Sequence, residues 1–226
     1  MSFTAHALRM IVLALALCAG VAGRPAAAGP ALTLVEQFNL SFIDILRADD
    51  RFTAAGQPGR YRRLSDHLSE SFDIHAMMEQ ATGAQWTRAD DFERTLAVDA
   101  FLRLSVSTYL SRFESYAGEY FETLGEEQGR DGTDRVVTKL IRPGRINVSV
   151  TYIVRNNGAE PKIVDVIFVG GASEVATRRS EFAETLNRRG LKGLIARLND
   201  QADKIIADLR ASLPRDAIPR TYASTN

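Results

Sequence analysis

Few side chains here have the type and setting for bond-making chemistry, and each also has a plainer use. Asp165 is the most unusual, an acid inside Ile163-Val164-Asp165-Val166-Ile167. A carboxylate in apolar surroundings needs a partner or a raised pKa. It is either a general base in a pocket or, as the commoner pattern has it, a structural acid paired with an arginine such as Arg178 or Arg179. His75 stands beside Met77 and Met78; it is a base, a ligand or, more ordinarily, a half-exposed helix residue. Gly170-Gly171-x-Ser173 lacks the lysine and the wider glycine spacing of a phosphate loop and reads as a strand-to-helix turn. Asn147-Val148-Ser149 is a glycosylation sequon, discounted because the pattern puts it inside a strand. Ser-His-Asp catalysis would need a serine near His67 or His75, and no G-x-S-x-G elbow marks one.

The N-terminus shortens this inventory. Arg9 precedes the apolar run Met10 to Ala19, and small residues follow as far as Ala26-Ala27-Ala28. That is the order of a secretory signal peptide, and the run is well short of the about 20 residues that span a bilayer. Residues 1–28 are therefore expected to be removed, with Gly29 opening the mature chain. Arg9, Arg24, His6 and Cys18 leave with them. Without cysteine the mature chain has no disulfide, no thiolate nucleophile and no cysteine-ligated metal. The whole chain carries 28 basic and 28 acidic groups. A nucleic-acid binder would carry a basic surplus, so that class is excluded. At 45% hydrophobic the chain is also too apolar for disorder.

The elements that must position these residues run helices, strands, helices. Leu32, Val35, Phe38, Phe42, Ile45 and Leu46 recur at helical spacing. Ala54 to Gly59 reads as a break, and Tyr61 to Ser69 as a short helix. Asp73 can N-cap a second short helix that Gly83 stops. Thr87-Arg88-Ala89-Asp90 has the form of a capping box. It opens the longest expected helix, through Phe92, Leu96, Leu102, Val106, Tyr109 and Phe113 to about Ala117-Gly118. The period then changes to 2. Ile146, Val148, Val150, Tyr152 and Val154 alternate with mostly polar residues, as in a half-buried antiparallel strand. Arg135–Ile141 precedes this strand across Pro143-Gly144, Ile163–Val169 follows across Asn156-Asn157-Gly158, and Glu119–Glu127 is a weaker first strand. Ser173 can cap a helix that Gly190 ends or kinks, and Leu191 to Leu209 continues it. The class is α+β: a four-strand antiparallel meander packed against several helices.

One register matters for function. A two-residue Pro143-Gly144 loop pairs Lys139 with Val148 on the apolar face. A longer loop shifts the pairing by one and turns Lys139 outward. A type II turn with L-proline matches hairpin twist poorly, which favours the longer loop. On either register, a one-sided apolar sheet under helices can leave a cavity for apolar ligands.

Several scattered residues then point one way. Asp73-Ile74, Gly83-Ala84-Gln85-Trp86-Thr87, Phe101 and Tyr109, Tyr152, Lys162-Ile163-Val164-Asp165-Val166, Gly170, Ser173, Arg178-Arg179 and Phe182 together resemble the MlaC or toluene-tolerance family of periplasmic lipid carriers. Pro161 stands where that family often has tryptophan. The stretch from Ser173 to Phe182 resembles its hopanoid-associated branch. The resemblance spans residues 32 to 210. It implies an NTF2- or cystatin-like sheet enclosing an apolar cavity in a single domain, residues 29–213, with 214–226 a flexible tail. It implies no enzyme, no cofactor and no metal. The implied cargo is a phospholipid or a hopanoid-type lipid. The implied partners are an inner-membrane lipid transporter complex and an outer-membrane lipoprotein–porin complex. The residues expected to contact lipid are Met77, Phe101, Tyr109, Phe113, Val148, Val150, Tyr152 and Ile167. A lipid-free adaptor and a small isomerase-type enzyme are the alternatives.

Overall fold

The computed structural model describes residues 29–48, 56–113, 116–129, 131–156, 160–168 and 170–212. The signal segment, the tail from 214 and most of the Asn156-Asn157-Gly158 turn lie outside them. Helix α1 spans Pro30–Arg47. Pro30 suits its first turn, where a missing N–H costs no hydrogen bond. Val35, Phe38, Phe42, Ile45 and Leu46 form its buried stripe. Helix α2 runs Gly56–Ser71, so the expected break is shorter and the helix longer than the glycine and proline content indicates. Helix α3, Ile74–Thr82, opens on the Asp73 carboxylate, which accepts from the Ala76 N–H at 2.8 Å, and stops at Gly83, φ 56°. A short α4, Ala84–Arg88, follows.

Helix α5 covers Asp91–Arg112. Its cap is Asp90, accepting from the Glu93 N–H at 2.7 Å, and not Thr87 of the expected capping box. Thr87 is already inside α4, where its N-cap backbone geometry is impossible. The helix ends at Arg112, before Ala117-Gly118. Its expected stripe also needs correction. Phe92 is 70% and Leu96 37% exposed, whereas Ala97 and Ala100 are buried. The buried face of α5 in its first half thus follows alanine and not the largest side chains, which lie beside Ile195 and Ala196 of α6 at the surface.

The four strands are β1 Tyr120–Gln128, β2 Thr133–Ile141, β3 Val148–Arg155 and β4 Lys162–Phe168, antiparallel in the order β1-β2-β3-β4. Lys139 pairs with Ser149 and Leu140 with Val148, the register of the longer loop. The alternation therefore buries Val136, Thr138 and Leu140 with Val150, Tyr152 and Val154, and turns Lys139 to the other face. Ile146, expected on the apolar face, lies outside the strand and is 88% exposed. The cause is the turn. The Arg145 N–H donates to the Arg142 carbonyl at 2.9 Å with Gly144 at φ 72°, as in a type II turn. The Asn147 side chain then accepts from the Arg142 N–H at 3.0 Å, so β3 starts only at Val148. The sequon asparagine is thus an exposed loop residue and not a strand residue.

In β4 the pairing slips between Ile163 and Asp165, leaving Val164 as a bulge. Ile163, Val166 and Phe168 face the helices. Asp165 and Ile167 face away, opposite Ile153 and Thr151. Helix α6, Glu174–Ala211, bends at Gly190, whose φ 63° and ψ −167° suit glycine almost alone. It is longer than α5 in residues, but the kink at Gly190 divides it into two arms. These elements form the α+β meander-and-helices architecture with one continuous core.

Candidate functional site

The helix-facing side of the sheet does not close on the helices. A cavity of about 340 Å³ remains between them. Its floor is Val148, Val150 and Tyr152 of β3, Leu140 of β2, Phe121 of β1, and Val166 and Phe168 of β4. Its roof is Phe38 and Phe42 of α1, Phe72 at the end of α2, and Tyr109, Arg112 and Phe113 of α5. A smaller lobe of about 50 Å³ continues it under Leu68, Ile74, Met77 and Phe101, sharing Phe72, Tyr109, Arg112, Val166 and Phe168.

Local structure explains why these side chains meet. Phe38 and Phe42 stand four residues apart, so one helix face carries both. Phe38 is the hub. Its ring lies 5.2 Å from Phe72 and 5.9 Å from Tyr152, edge to face, and stacks on His67 at 4.7 Å. Phe42 meets Tyr109 at 5.8 Å and Phe113 at 5.4 Å. Phe72 is held by the strand beside it: it bridges to Ile163, and the Asp73 N–H donates to the Ile163 carbonyl at 2.9 Å.

The polar groups along the wall are few. The Tyr152 hydroxyl donates to Asn39 Oδ1 at 2.7 Å, and both residues are buried. Burial pushes the Tyr152 hydroxyl well above the ordinary tyrosine range, with Tyr109 nearby adding to it. Burial likewise pushes Tyr109 up to about 12; Glu174 adds to this, while Arg112 and Arg178 oppose it. Both phenols are therefore neutral at any physiological pH. The deep end, around Phe38, Phe42, Phe72, Val150 and Tyr152, is buried. The rim is where α5 ends and the β2–β3 hairpin turns. There Phe113, Phe121, Val148 and Arg142 are half-buried and Arg112 is exposed.

Of the eight residues expected to contact lipid, Tyr109, Phe113, Val148, Val150 and Tyr152 line the main cavity, and Met77 and Phe101 line the small lobe. Ile167 lines neither and stands on the opposite face, because the bulge at Val164 reverses the alternation of β4. Val166 and Phe168 take that place. Phe38, Phe42, Phe72, Phe121 and Leu140 also line the main cavity, beyond the residues expected from the sequence. Phe38 and Phe42 were visible as a helix stripe; nothing in the sequence separates a stripe that fills a core from one that roofs a cavity.

The candidate base is engaged elsewhere. Asp165 accepts from the Val166 N–H at 2.8 Å, the Val175 N–H at 3.1 Å and the Ser173 hydroxyl at 2.5 Å, and so ties β4 to the first turn of α6. It is a structural acid, but neither expected arginine is its partner. Arg178 pairs with Glu174 and Glu181, and Arg179 donates to the Gln80 carbonyl. Backbone N–H groups at a helix start satisfy a carboxylate as well as a guanidinium does. His75 is exposed, edge-on to Trp86 at 4.8 Å and outside the cavity. Among the described residues no group of three histidine, cysteine or acidic side chains is placed to hold a metal ion, and no helix is long and apolar enough to cross a membrane.

Comparison with solved structures finds a phospholipid-binding protein from Ralstonia solanacearum, in complex with a phospholipid. It is 17% identical, with a TM-score of 0.68 over 78% of this chain and 98% of that one. At that identity the likeness concerns the fold. No curated protein matches the chain. The family model described as MlaC protein matches residues 36–200. That span takes in the roof helices, the whole sheet and most of α6, and the chain belongs to the MlaC family.

Proposed function

We propose that this protein is a periplasmic lipid carrier. It holds acyl chains of a phospholipid or hopanoid-type lipid in the cavity and shuttles them between the inner and outer membranes. The observation that carries this reading is the cavity itself: about 340 Å³ walled almost wholly by aromatic and aliphatic side chains, open at one rim. Family membership and the phospholipid in the structurally similar Ralstonia protein support it. So does the use of Asp165 as a structural tie and the placement of His75 outside the cavity, which remove both candidate bases from the isomerase alternative.

The energetics require no side-chain chemistry. A two-chain lipid exposes on the order of 30 methylenes, which at about 0.8 kcal/mol each makes bare transfer through water prohibitive. A carrier lowers that cost by enclosing chain in apolar wall. In this reading the N-terminal 28 residues direct export and are cut near Ala28. The partners are an inner-membrane lipid transporter complex and an outer-membrane lipoprotein–porin complex. The test is native mass spectrometry of the protein purified from the periplasm of its own cells, followed by lipid extraction. A mass matching protein plus lipid is expected. Folded protein that is lipid-free, even after incubation with phospholipid vesicles, would favour the adaptor reading.

A further inference from the structure

The turn between β2 and β3 carries groups that neither the core nor the cavity uses. Ile146 is 88% exposed, more than any other large apolar side chain among the described residues. A lone exposed isoleucine is ordinary, but this one is held out. The Arg145 N–H donates to the Arg142 carbonyl at 2.9 Å, and the Asn147 side chain accepts from the Arg142 N–H at 3.0 Å, so the chain is fixed on both sides of Ile146. The charge around it has one sign. From Lys139 to Asn147 the chain has three cations and no acid. Lys139, which the shorter loop would have put on the apolar face, is on the far face, opposite Glu122. Arg142 and Arg145 form no ion pair among the described residues. Tyr120, opposite Ile141 at the same end of the sheet, is 46% exposed and adds an amphipathic ring. The place matters as much as the composition. Arg142 and Val148, the residues that enter and leave this turn, both line the cavity. Two residues of extended chain span about 7 Å at most, so Ile146 stands that close to the rim.

We propose that this turn docks the protein on the surface of an anionic lipid bilayer, with Ile146 inserted at the headgroup boundary, Arg142 and Arg145 among the headgroups, and the cavity mouth facing the membrane. An apolar side chain between cations is the composition of an interfacial contact: the apolar group goes below the headgroups and the charges stay with them. A protein partner fits the tip less well. A stable protein interface buries about 800 Å² per partner around an apolar centre. Pro143, Gly144 and Arg145 give Ile146 no broad apolar surround. The docking goes beyond the carrier reading, because it concerns the surface the protein visits and not the cargo it holds. Such a contact is weak and reversible. Each arginine near an anionic surface is worth about a fivefold gain in binding, enough to orient the mouth and not enough to retain the protein.

The experiment uses the protein purified from the periplasm and vesicles of dioleoylphosphatidylcholine, alone or mixed equally with dioleoylphosphatidylglycerol. Binding is read by flotation. Depth is read by the fluorescence of Ile146→Trp, since the chain's own tryptophan, Trp86, is buried. Wild type is expected to float with the mixed vesicles far more than with the neutral ones, and to be released as salt rises. Ile146→Ser should lower binding about tenfold and Arg145→Gln about fivefold. Both should keep the wild-type melting temperature, because the turn is exposed. Leu40→Ser removes an apolar side chain that is 69% exposed on α1 and should leave binding unchanged. The emission of Ile146→Trp should shift to the blue on the mixed vesicles and be quenched by brominated chains. Wild type that does not float with the mixed vesicles, equal losses in Leu40→Ser and Ile146→Ser, or an unshifted emission would overturn the docking. Binding to native inner-membrane vesicles but not to protein-free ones would assign the turn to a membrane protein, and would overturn it as well. The carrier reading stands or falls separately, on lipid mass: a lipid-free protein that still floats through Ile146 would sink that reading and leave the docking in place.

Discussion

Val150→Trp tests whether the space under α1 holds lipid. Val150 is 4% exposed, pairs with Thr138 and Phe168, and lines the floor of the cavity. With a liquid share of about 30 Å³ per water-sized group, 340 Å³ accommodates about 11 methylene-sized groups. An indole adds about seven heavy atoms to valine and displaces roughly four of those groups, at about 0.8 kcal/mol each. The expected loss in lipid affinity is about 3 kcal/mol, or on the order of a hundredfold. Stability should change little, because the ring enters empty space. In a filled core the same change would cost typically about 1–3 kcal/mol by overpacking. Lipid per protein by native mass spectrometry, beside the melting temperature, separates these outcomes. Undiminished lipid in a stable Val150→Trp protein would refute the wall assignment. A large fall in melting temperature would refute the cavity.

Asp165→Asn removes a charge that receives three hydrogen bonds and anchors the start of α6. It should cost about 1–2 kcal/mol on a denaturant curve, with lipid per folded molecule unchanged; a fully stable variant would show that the tie is idle. Gly190→Ala forces a side chain into φ 63°, ψ −167° and should cost about 1–3 kcal/mol; a neutral result would mean that α6 straightens freely at this point. Tyr109 and Tyr152 have hydroxyl pKa values raised by burial. Their contribution is fully present below about pH 10, the unfolded value, and is lost as pH rises toward 12 and beyond, because only the unfolded chain releases those protons. Ultraviolet titration should show both tyrosines silent until the protein unfolds, and ionisation of either at its ordinary value in folded protein would contradict their burial.

Period and punctuation made most of the fold legible. Asp73, Gly83, Ser173 and Gly190 act as the sequence indicates, and each works through its immediate neighbours. The expectations that failed concern relations between elements. Thr87 has the pattern of a capping residue, but α4 claims it first. Phe92 and Leu96 have the pattern of a core stripe, but both are exposed, beside Ile195 and Ala196 of α6, while Ala97 and Ala100 are buried. Ile146 continues the alternation of β3 by residue type alone, while the turn and Asn147 hold it out of the strand. Ile167 stands off the cavity for the reason Val148, Val150 and Tyr152 stand on it. Alternation assigns a face only within an unbroken ladder, and the bulge at Val164 breaks that of β4. The cavity itself is not legible in the sequence, since apolar residues that fill a core and those that fall short of filling it are the same residues.

The capacity of that cavity bears on how a carrier of this shape works. About 11 methylene-sized groups correspond to roughly 9 kcal/mol of transfer free energy, against about 24 for the roughly 30 methylenes of a two-chain lipid. The cavity as described encloses part of one chain, so a full load demands more volume. The walls do not share that demand equally. The floor is a four-strand sheet whose neighbouring strands are joined by backbone hydrogen-bond ladders. The roof meets it through ring edges at about 5 to 6 Å, such as Phe38 with Tyr152, and these contacts re-form at other separations with small loss. Under the carrier reading, growth would fall on α1 and α5 relative to the sheet. It would fall at the rim end too, where Phe113 and Phe121 are already half-exposed. Such a roof follows the amount of chain inside it. If the proposed carrier role holds, that suits release of the cargo, because a rigid enclosure complementary to the whole lipid would hold it with free energy that every delivery would have to overcome.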